Sequence, residues 1–213
     1  MLSRRTKLRI GATAATALAA LAFSASSASA GVLVNAAPSC DAQPLSTPFV
    51  PWLDTALYTP LSGGDFEAAA AGWSLSGGAA VATGNEPYQV AGPGDTKSLT
   101  IPAGGSATSP AICVGLNHPS IRFFAKRRSG GMLSLSTLRV DVLFETANGT
   151  TASLPIGLVG NGGGWQPTLP MAVVANLLPL LPGEQTPVAF RFTAQGNADW
   201  SVDDAWVDPY SRH

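Results

Sequence analysis

Short runs in which apolar and polar side chains alternate constrain the fold of this chain more than any other feature. In Leu138–Glu145 the even positions are apolar, and three of the four odd positions are charged. Successive side chains of a β-strand point to opposite faces of a sheet, so this period of two is typical of a half-buried strand. The same alternation occurs in Ser120–Lys126 and Pro187–Thr193. The sequence therefore predicts strands with one core face and one solvent face.

Turn-forming residues separate these runs. The chain of 213 residues contains 23 Gly and 17 Pro, but only 12% of its residues are charged, which is low for a globular domain. Asn148-Gly149 predicts a type I′ turn, with Thr151–Leu158 returning as the hairpin partner of Leu138–Glu145. Helix is limited to a turn or two within 172–181, because Pro179 and Pro182 interrupt that stretch. Many short strands joined by turns indicate an all-β sandwich or barrel.

The first thirty residues have the layout of a secretory signal peptide. Four basic residues between Arg4 and Arg9 precede an uncharged run from Ile10 to Phe23, and small residues follow as far as Ala30. This run is shorter than the roughly twenty residues of a membrane-spanning helix. We expect residues 1–30 to be removed, by either the general secretory or the twin-arginine route. The mature protein would be secreted or associated with the cell envelope, without a membrane span.

The segment after the signal peptide predicts an appendage to the main domain. Residues 31–60 are rich in proline and have no period, which indicates an irregular N-terminal arm lying on a domain that spans 61–210. The chain has 2 cysteines, Cys40 in the arm and Cys113 in the domain. An even number of cysteines in an exported protein predicts one disulfide, and two free thiols are the alternative.

The last predicted strand contains an irregularity. The apolar face of Trp200–Val207 shifts by one residue across Asp203 and Asp204. Such a shift requires a β-bulge or a carboxylate that turns inward. A buried carboxylate needs a partner, and a bound cation is one of the few groups that satisfy it.

Three motifs resemble those at the start and the end of a known fold. Gly64-Asp65-Phe66-Glu67, Gly72–Ala79 and Trp200–Asp208 are similar to motifs of the galactose-binding-like jelly rolls, which include many carbohydrate-binding modules of exported glycosidases. Residues 58–210 also resemble a set of small exported actinobacterial proteins. The resemblance implies a jelly-roll β-sandwich with Trp73 in its core.

The same resemblance implies a structural calcium ion between the first and last strands. Glu67 matches one family ligand, and Asp203 or Asp204 matches another. Calcium takes six to eight oxygen ligands, which carboxylates supply with compensating charge. The alternative is that these aspartates accept hydrogen bonds from backbone or arginine groups at a bulge.

Sugar binding requires an exposed aromatic ring with polar groups beside it. Trp206 is expected to point outward from the last strand, whereas Trp165 and Tyr88 lie in predicted loops. Arg122 and Arg139 belong to a set of outward residues that could line a groove for a glycan or an acidic polymer. A solvated face with cross-strand ion pairs is the alternative. The other members of this set are Phe124, Lys126, Asp141, Glu145 and Arg191.

Catalytic motifs are poorly represented. The internal His118 precedes Pro119 in a predicted loop, and the sequence contains neither Gly-x-Ser-x-Gly nor His-Glu-x-x-His. The formal charge of −1 provides no electrostatic footprint for nucleic acid. We therefore predict a monomeric, non-catalytic binding module, with carbohydrate as the first ligand by resemblance. The alternative is a structural or protein-interaction role in the cell envelope, with the arm as the docking surface.

Overall fold

A computed structural model describes residue 33 and residues 43–115, 119–130, 135–146, 148–160, 162–173 and 185–209. The predicted signal peptide, Cys40 and His118 lie outside the described residues. This part of the chain contains a 3₁₀ turn, Val50–Trp52, and a series of β-strands. The strands are β1 (Thr59–Pro60), β2 (Ser74–Ser76), β3 (Ala80–Thr83), β4 (Lys97–Ile101), β5 (Ser106–Thr108), β6 (Ile112–Val114), β7 (Ser120–Arg127), β8 (Thr137–Glu145), β9 (Thr151–Val159), β10 (Gln166–Pro167), β11 (Met171–Ala172), β12 (Thr186–Gln195) and β13 (Trp200–Asp208).

The strands form two antiparallel sheets. Sheet I has the order β10-β7-β13-β4-β3, with β1 beside β13 and β11 beside β7, and sheet II has the order β2-β5-β12-β8-β9, with β6 beside β12. The chain crosses repeatedly between the sheets, for example from β4 to β5, from β7 to β8 and from β12 to β13. This topology confirms the predicted all-β jelly-roll β-sandwich. A helical segment with the length and hydropathy of a membrane span is not found among the described residues.

The core lies between the two sheets, where the alternating patterns place it. Phe123 of β7 and Phe192 of β12 are fully buried, and their rings meet edge to face with centroids 5.0 Å apart. Trp73 is also in the core, as the resemblance implies, with its ring 5.0 Å from Phe66 and 5.8 Å from Phe192. Burial of one such side chain contributes about 2 kcal/mol, so these aromatic contacts are a major part of the stability.

The turn between β8 and β9 differs from the predicted type. The hairpin is confirmed, because Glu145 pairs with Thr151. Gly149 has a positive φ of 71°, but Asn148 does not share the left-handed conformation that a type I′ turn requires. The Thr146 carbonyl accepts the Gly149 amide at 2.8 Å, and Gly149 alone of the Asn148-Gly149 pair is left-handed.

The arm residues 43–60 lie on the outer face of sheet I. The backbones of Ser46 and Tyr58 exchange two hydrogen bonds of 2.8 Å, which close the arm into a loop. Phe49 stacks on Phe124 of β7, with ring centroids 5.8 Å apart. Phe124 was expected on an open face, but it is fully buried because the arm covers it.

The arm also covers Arg122 of β7, which is 4% exposed. Its guanidinium forms an ion pair with Asp54 of the arm and donates from Nε to the Thr168 carbonyl at 2.8 Å. The guanidinium carbon lies 4.2 Å from the centroid of the Phe49 ring. A role of Arg122 in ligand binding would therefore require displacement of the arm.

The charged residues expected along a single groove belong to two different layers. Arg122 and Lys126 lie on β7 of sheet I, whereas Arg139 and Asp141 lie on β8 of sheet II, opposite Arg191 of β12. The expected common groove is absent from the described residues, because an alternating pattern indicates the face of a strand but not its sheet. On sheet II, Asp141 forms an ion pair with Arg139 of the same strand and a cross-strand ion pair with Arg191.

The disulfide between Cys40 and Cys113 stays a prediction, but one contact supports it. Cys113 is fully buried in β6, and its carbonyl accepts the side-chain amide of Gln43 at 3.0 Å. Gln43 is three positions from Cys40 in the sequence. The arm therefore passes close to Cys113.

We expect the purified mature protein to have no free thiol and to lose about 4 kcal/mol of unfolding free energy on reduction, since the bond closes a long loop. Thiol titration and urea unfolding with and without reductant measure this. The variant in which both cysteines are serine should match the reduced protein. Two titratable thiols in the unreduced, denatured protein would contradict the prediction.

Candidate functional site

The predicted irregularity in the last strand is a β-bulge. On β13, Asp203 pairs with Phe124 and Trp206 pairs with Arg122, so two residues of β13 oppose one residue of β7. Asp204 has a positive φ of 44° at this point. Asp203 and Asp204 are 0% and 2% exposed, respectively, so the bulge turns both side chains into the protein.

Two further acidic residues come to the bulge from the loop between β3 and β4. Glu86 and Asp95 are both buried, and each has a carboxylate oxygen within 4.8 Å of the other and of an oxygen of Asp204. We call Glu86, Asp95 and Asp204 the acidic cluster. The loop is fixed to the bulge by backbone amides, because Ala91 donates to Asp204 at 3.1 Å and Glu86 donates to Asp203 at 3.0 Å.

The resemblance implies Glu67, Asp203 and Asp204 as metal ligands. In the structure, each of these residues has a different position relative to the acidic cluster. Asp204 belongs to the acidic cluster. Asp203 lies beside it, with its two oxygens accepting the amides of Glu86 and Asp204 at 3.0 Å each. Glu67 lies at the edge, where its Oε1 accepts the amides of Thr96 and Lys97 at 2.7 and 2.6 Å.

Sequence reasoning missed Glu86 and Asp95. The available signal was the presence of acidic residues in the Gly- and Pro-rich stretch 84–95, which is unusual for side chains that become buried. Their partners lie more than a hundred positions away along the chain. A local pattern therefore could not connect them with Asp204.

Burial raises the pKa of three aspartates in and beside the cluster. It raises the pKa of Asp203 to about 9, and burial together with the negative charges of Asp95 and Glu86 raises that of Asp204 to about 8. Burial and the neighbouring carboxyl groups of Glu67 and Glu86 raise the pKa of Asp95 to about 7. Without a bound cation, the folded protein therefore favours the protonated, uncharged form of these three carboxyl groups.

The donors present fit a hard divalent cation. Both side-chain oxygens of Asp95 are buried and receive no well-aligned hydrogen bond from the described residues, a state that normally costs free energy. The donor set consists of carboxylate oxygens, which suit calcium better than the softer transition metals. Glu86, Asp95 and Asp204 would hold the ion, which would supply the positive charge that the buried carboxylates lack.

Glu86 also shapes the loop that follows it. Its carboxylate accepts the backbone amides of Tyr88 and, at 2.7 Å, Val90. These bonds fold residues 86–91 around the side chain of Glu86. The acidic cluster therefore determines where the side chain of Tyr88 is presented.

Tyr88 joins an aromatic patch on the outer face of sheet I. The patch consists of Trp52, Tyr88 and Trp165, with the buried Phe124 beneath Trp52 and Tyr88. The Tyr88 ring meets Trp52 edge to face with centroids 5.0 Å apart and lies 5.6 Å from Phe124. Tyr88 is 44% exposed, while Trp52 and Trp165 are partly exposed. The ammonium group of Lys126 lies 4.9 Å from the Trp165 ring centroid.

The structure brings some of the predicted ligand-binding residues together. Tyr88 and Trp165 belong to the aromatic patch, and the Tyr88 hydroxyl donates to the Trp165 carbonyl at 3.5 Å. Trp206 is only partly exposed, since it packs with the cluster formed by Phe49, Tyr58 and Phe124. Arg122 is buried beneath the arm, and Arg139 lies on sheet II. Trp52 was not among the predicted residues, because the arm has no period that would reveal its exposed side.

Several solved structures resemble this chain. The family 22 carbohydrate-binding module and glycoside hydrolase family 10 modules of Clostridium thermocellum endo-1,4-β-D-xylanase 10B, complexed with xylohexaose, are 15% identical with a TM-score of 0.47, and the match covers 68% of this chain and 27% of that chain. The xylan-binding CBM22-1 domain of Paenibacillus barcinonensis Xyn10C is 18% identical with a TM-score of 0.45, covering 70% and 93%. TmCBM61, in complex with β-1,4-galactotriose, is 13% identical with a TM-score of 0.40, covering 69% and 95%.

No protein-family model matches the chain, and no curated protein matches it. The likeness to the solved structures is distant in identity and in superposition. The fold assignment therefore depends on the strand pairing of this chain, and the site on its own side chains.

The acidic cluster predicts how stability depends on pH and calcium. The aspartates have an ordinary pKa of 3.8 and folded values of about 7 to 9. In EDTA, the folded state therefore holds more protons than the unfolded state, and the melting temperature should fall as pH rises from about 4 to about 9. Millimolar calcium should raise the melting temperature, and most strongly at the upper end of this range.

Melting temperatures measured across this pH range, in EDTA and in calcium, test this prediction. Asp95→Asn should reduce both the pH dependence in EDTA and the response to calcium. Asp199→Asn is the matched control, since the Asp199 carboxylate accepts the Ala103 amide outside the cluster. A pH-independent melting temperature in EDTA, together with no calcium response, would contradict the account.

Proposed function

We propose that this chain is an exported, non-catalytic module that binds a neutral glycan at the aromatic patch. The observation that carries this proposal is the 44% exposed ring of Tyr88, held between Trp52 and Phe124 beside Trp165. A pyranose has an apolar face that stacks on such a ring and hydroxyl groups that need polar neighbours. Lys126 and the exposed backbone of the Gly-rich loop before Trp165 supply these polar neighbours.

The rigidity of the patch favours binding. Tyr88 has its backbone amide held by Glu86 and its ring braced by two aromatic neighbours. Little side-chain freedom remains to be lost when a ligand stacks on it, and this reduces the entropic cost of binding. The acidic cluster, occupied by calcium, would have a structural role, because it keeps residues 86–91 in the conformation that presents Tyr88.

The proposed location is outside the cytoplasm. The basic, apolar and small-residue segments of 1–30 support export by a signal peptide. The two cysteines are also consistent with an oxidising compartment. Binding of a polysaccharide at or outside the cell envelope agrees with this location.

A protein-interaction role is the second candidate, and exposed apolar residues of the arm favour it. Leu53 is 96% exposed and has a positive φ of 60°, while Val50 and Leu57 are 47% and 45% exposed. Large exposed side chains of this kind are common at protein interfaces. For this candidate, Leu53→Ser combined with Leu57→Ser should abolish partner binding, whereas Tyr88→Ala should leave it unchanged.

The proposed function predicts which substitutions abolish glycan binding. On an array of neutral cell-wall oligosaccharides, the mature protein should bind at least one class, whose affinity is then measured by calorimetric titration. Tyr88→Ala and Trp165→Ala should each weaken this binding about thirtyfold, since truncation of a central aromatic contact costs about 2 kcal/mol.

Leu75→Ala is the matched control, because it removes a side chain that is 38% exposed on the other sheet. Its affinity should equal that of the unmodified protein. Absence of binding to every neutral glycan would overturn the proposed function. Equal affinity of Tyr88→Ala and the unmodified protein would reject the aromatic patch as the site.

A further inference from the structure

A second charged site lies on the outer face of sheet II, on the opposite layer from the aromatic patch. Arg191 of β12 stands directly across from Asp141 of β8. Arg139 donates to Oδ1 of Asp141 from Nε at 2.8 Å and from Nη2 at 2.5 Å. Arg191 approaches Oδ2 of the same carboxylate at 3.5 Å. One carboxylate therefore orients the Arg139 guanidinium and forms an ion pair with that of Arg191.

This arrangement leaves positive charge facing solvent. The Asp141 side chain is 2% exposed, whereas those of Arg139 and Arg191 are 34% and 36% exposed. Two cations and one anion carry a net charge of +1, on a chain whose total charge is −1. Among the described residues, Arg191 donates from Nη2 to the Ser153 hydroxyl at 3.3 Å, whereas Nη1 of Arg139 and both Nε and Nη1 of Arg191 make no hydrogen bond. These groups remain available to an anionic ligand.

An open hollow of about 560 Å³ lies beside Arg139. It is lined by Arg139, Pro155, Gly157, Leu158 and Gln195. The volume lies in the range of small-ligand sites. Leu158 is 62% exposed, and together with Pro155 it forms an apolar wall next to the guanidinium and amide groups. The hollow therefore suits a ring that has an apolar face and a carboxylate at its edge.

We propose that Arg139 and Arg191 bind the carboxylate of a uronic acid residue in an acidic polysaccharide, with the sugar ring against Leu158. A ligand carboxylate would accept charge-assisted hydrogen bonds from the free nitrogens of both guanidinium groups, and such bonds are stronger than those to the neutral hydroxyls of a sugar. Asp141 is a positioning residue, because it fixes the plane of the Arg139 guanidinium by two hydrogen bonds and pairs with Arg191. This site does not depend on neutral glycan binding at Tyr88.

The experiment is a calorimetric titration of the mature protein with trigalacturonate and with its methyl ester, at one fixed calcium concentration. The ester retains the chain and ring faces but removes the charge. We expect trigalacturonate to bind at least tenfold more tightly than the ester, since hydrogen bonds to charged groups are the stronger class. Arg139→Gln and Arg191→Gln should each weaken trigalacturonate binding about tenfold.

Arg128→Gln is the matched control, because it removes the same charge from an exposed position directly after β7, on the other layer. Leu158→Asp changes an exposed side chain, so the protein should fold, and the new carboxylate should abolish binding by repulsion. The proposal is overturned if trigalacturonate does not bind, if acid and ester bind equally, or if Arg128→Gln weakens binding as much as Arg139→Gln. Binding of a neutral glycan that responds to Tyr88→Ala but not to Arg139→Gln would show that the two sites are independent.

Discussion

The burial of carboxylates at the β13 bulge is the interaction on which the candidate site depends. Asp203 accepts the Glu86 amide, Asp204 accepts the Ala91 amide, and Glu86 accepts the amides of Tyr88 and Val90. The loop between β3 and β4 is therefore ordered by hydrogen bonds from its backbone amides to acidic side chains, and not by pairing with a neighbouring strand. Because those side chains repel one another when ionised, the order of the loop should depend on how their charge is compensated.

The arm determines which part of sheet I remains accessible. Phe49 and Asp54 cover Phe124 and Arg122, which would otherwise face solvent at the centre of the sheet. Trp52, in contrast, supports the exposed ring of Tyr88 from the side. The arm therefore both closes the centre of the face and contributes to the patch at its edge, so it is an integral part of the site.

Features that depend on neighbouring residues could be predicted from the sequence. The strands β7, β8 and β12 follow from alternation, and the bulge follows from the parity shift at Asp203. Long-range features could not be predicted in the same way: Glu86 and Asp203 are 117 positions apart. Alternation also does not show to which of the two sheets a strand belongs. For this reason the sequence predicts one groove for Arg122 and Arg139, which lie on different sheets. The turn after Glu145 differs because a single left-handed glycine is sufficient for the hairpin.

Hydrogen exchange of the backbone amides of Glu86, Tyr88, Val90 and Ala91, with calcium and with EDTA, tests the central claim most directly. These amides donate to carboxylates that would bind the ion or lie beside it. Calcium should slow their exchange, while amides between β8 and β12 keep the same rates. Equal exchange of the four loop amides in calcium and in EDTA would contradict it.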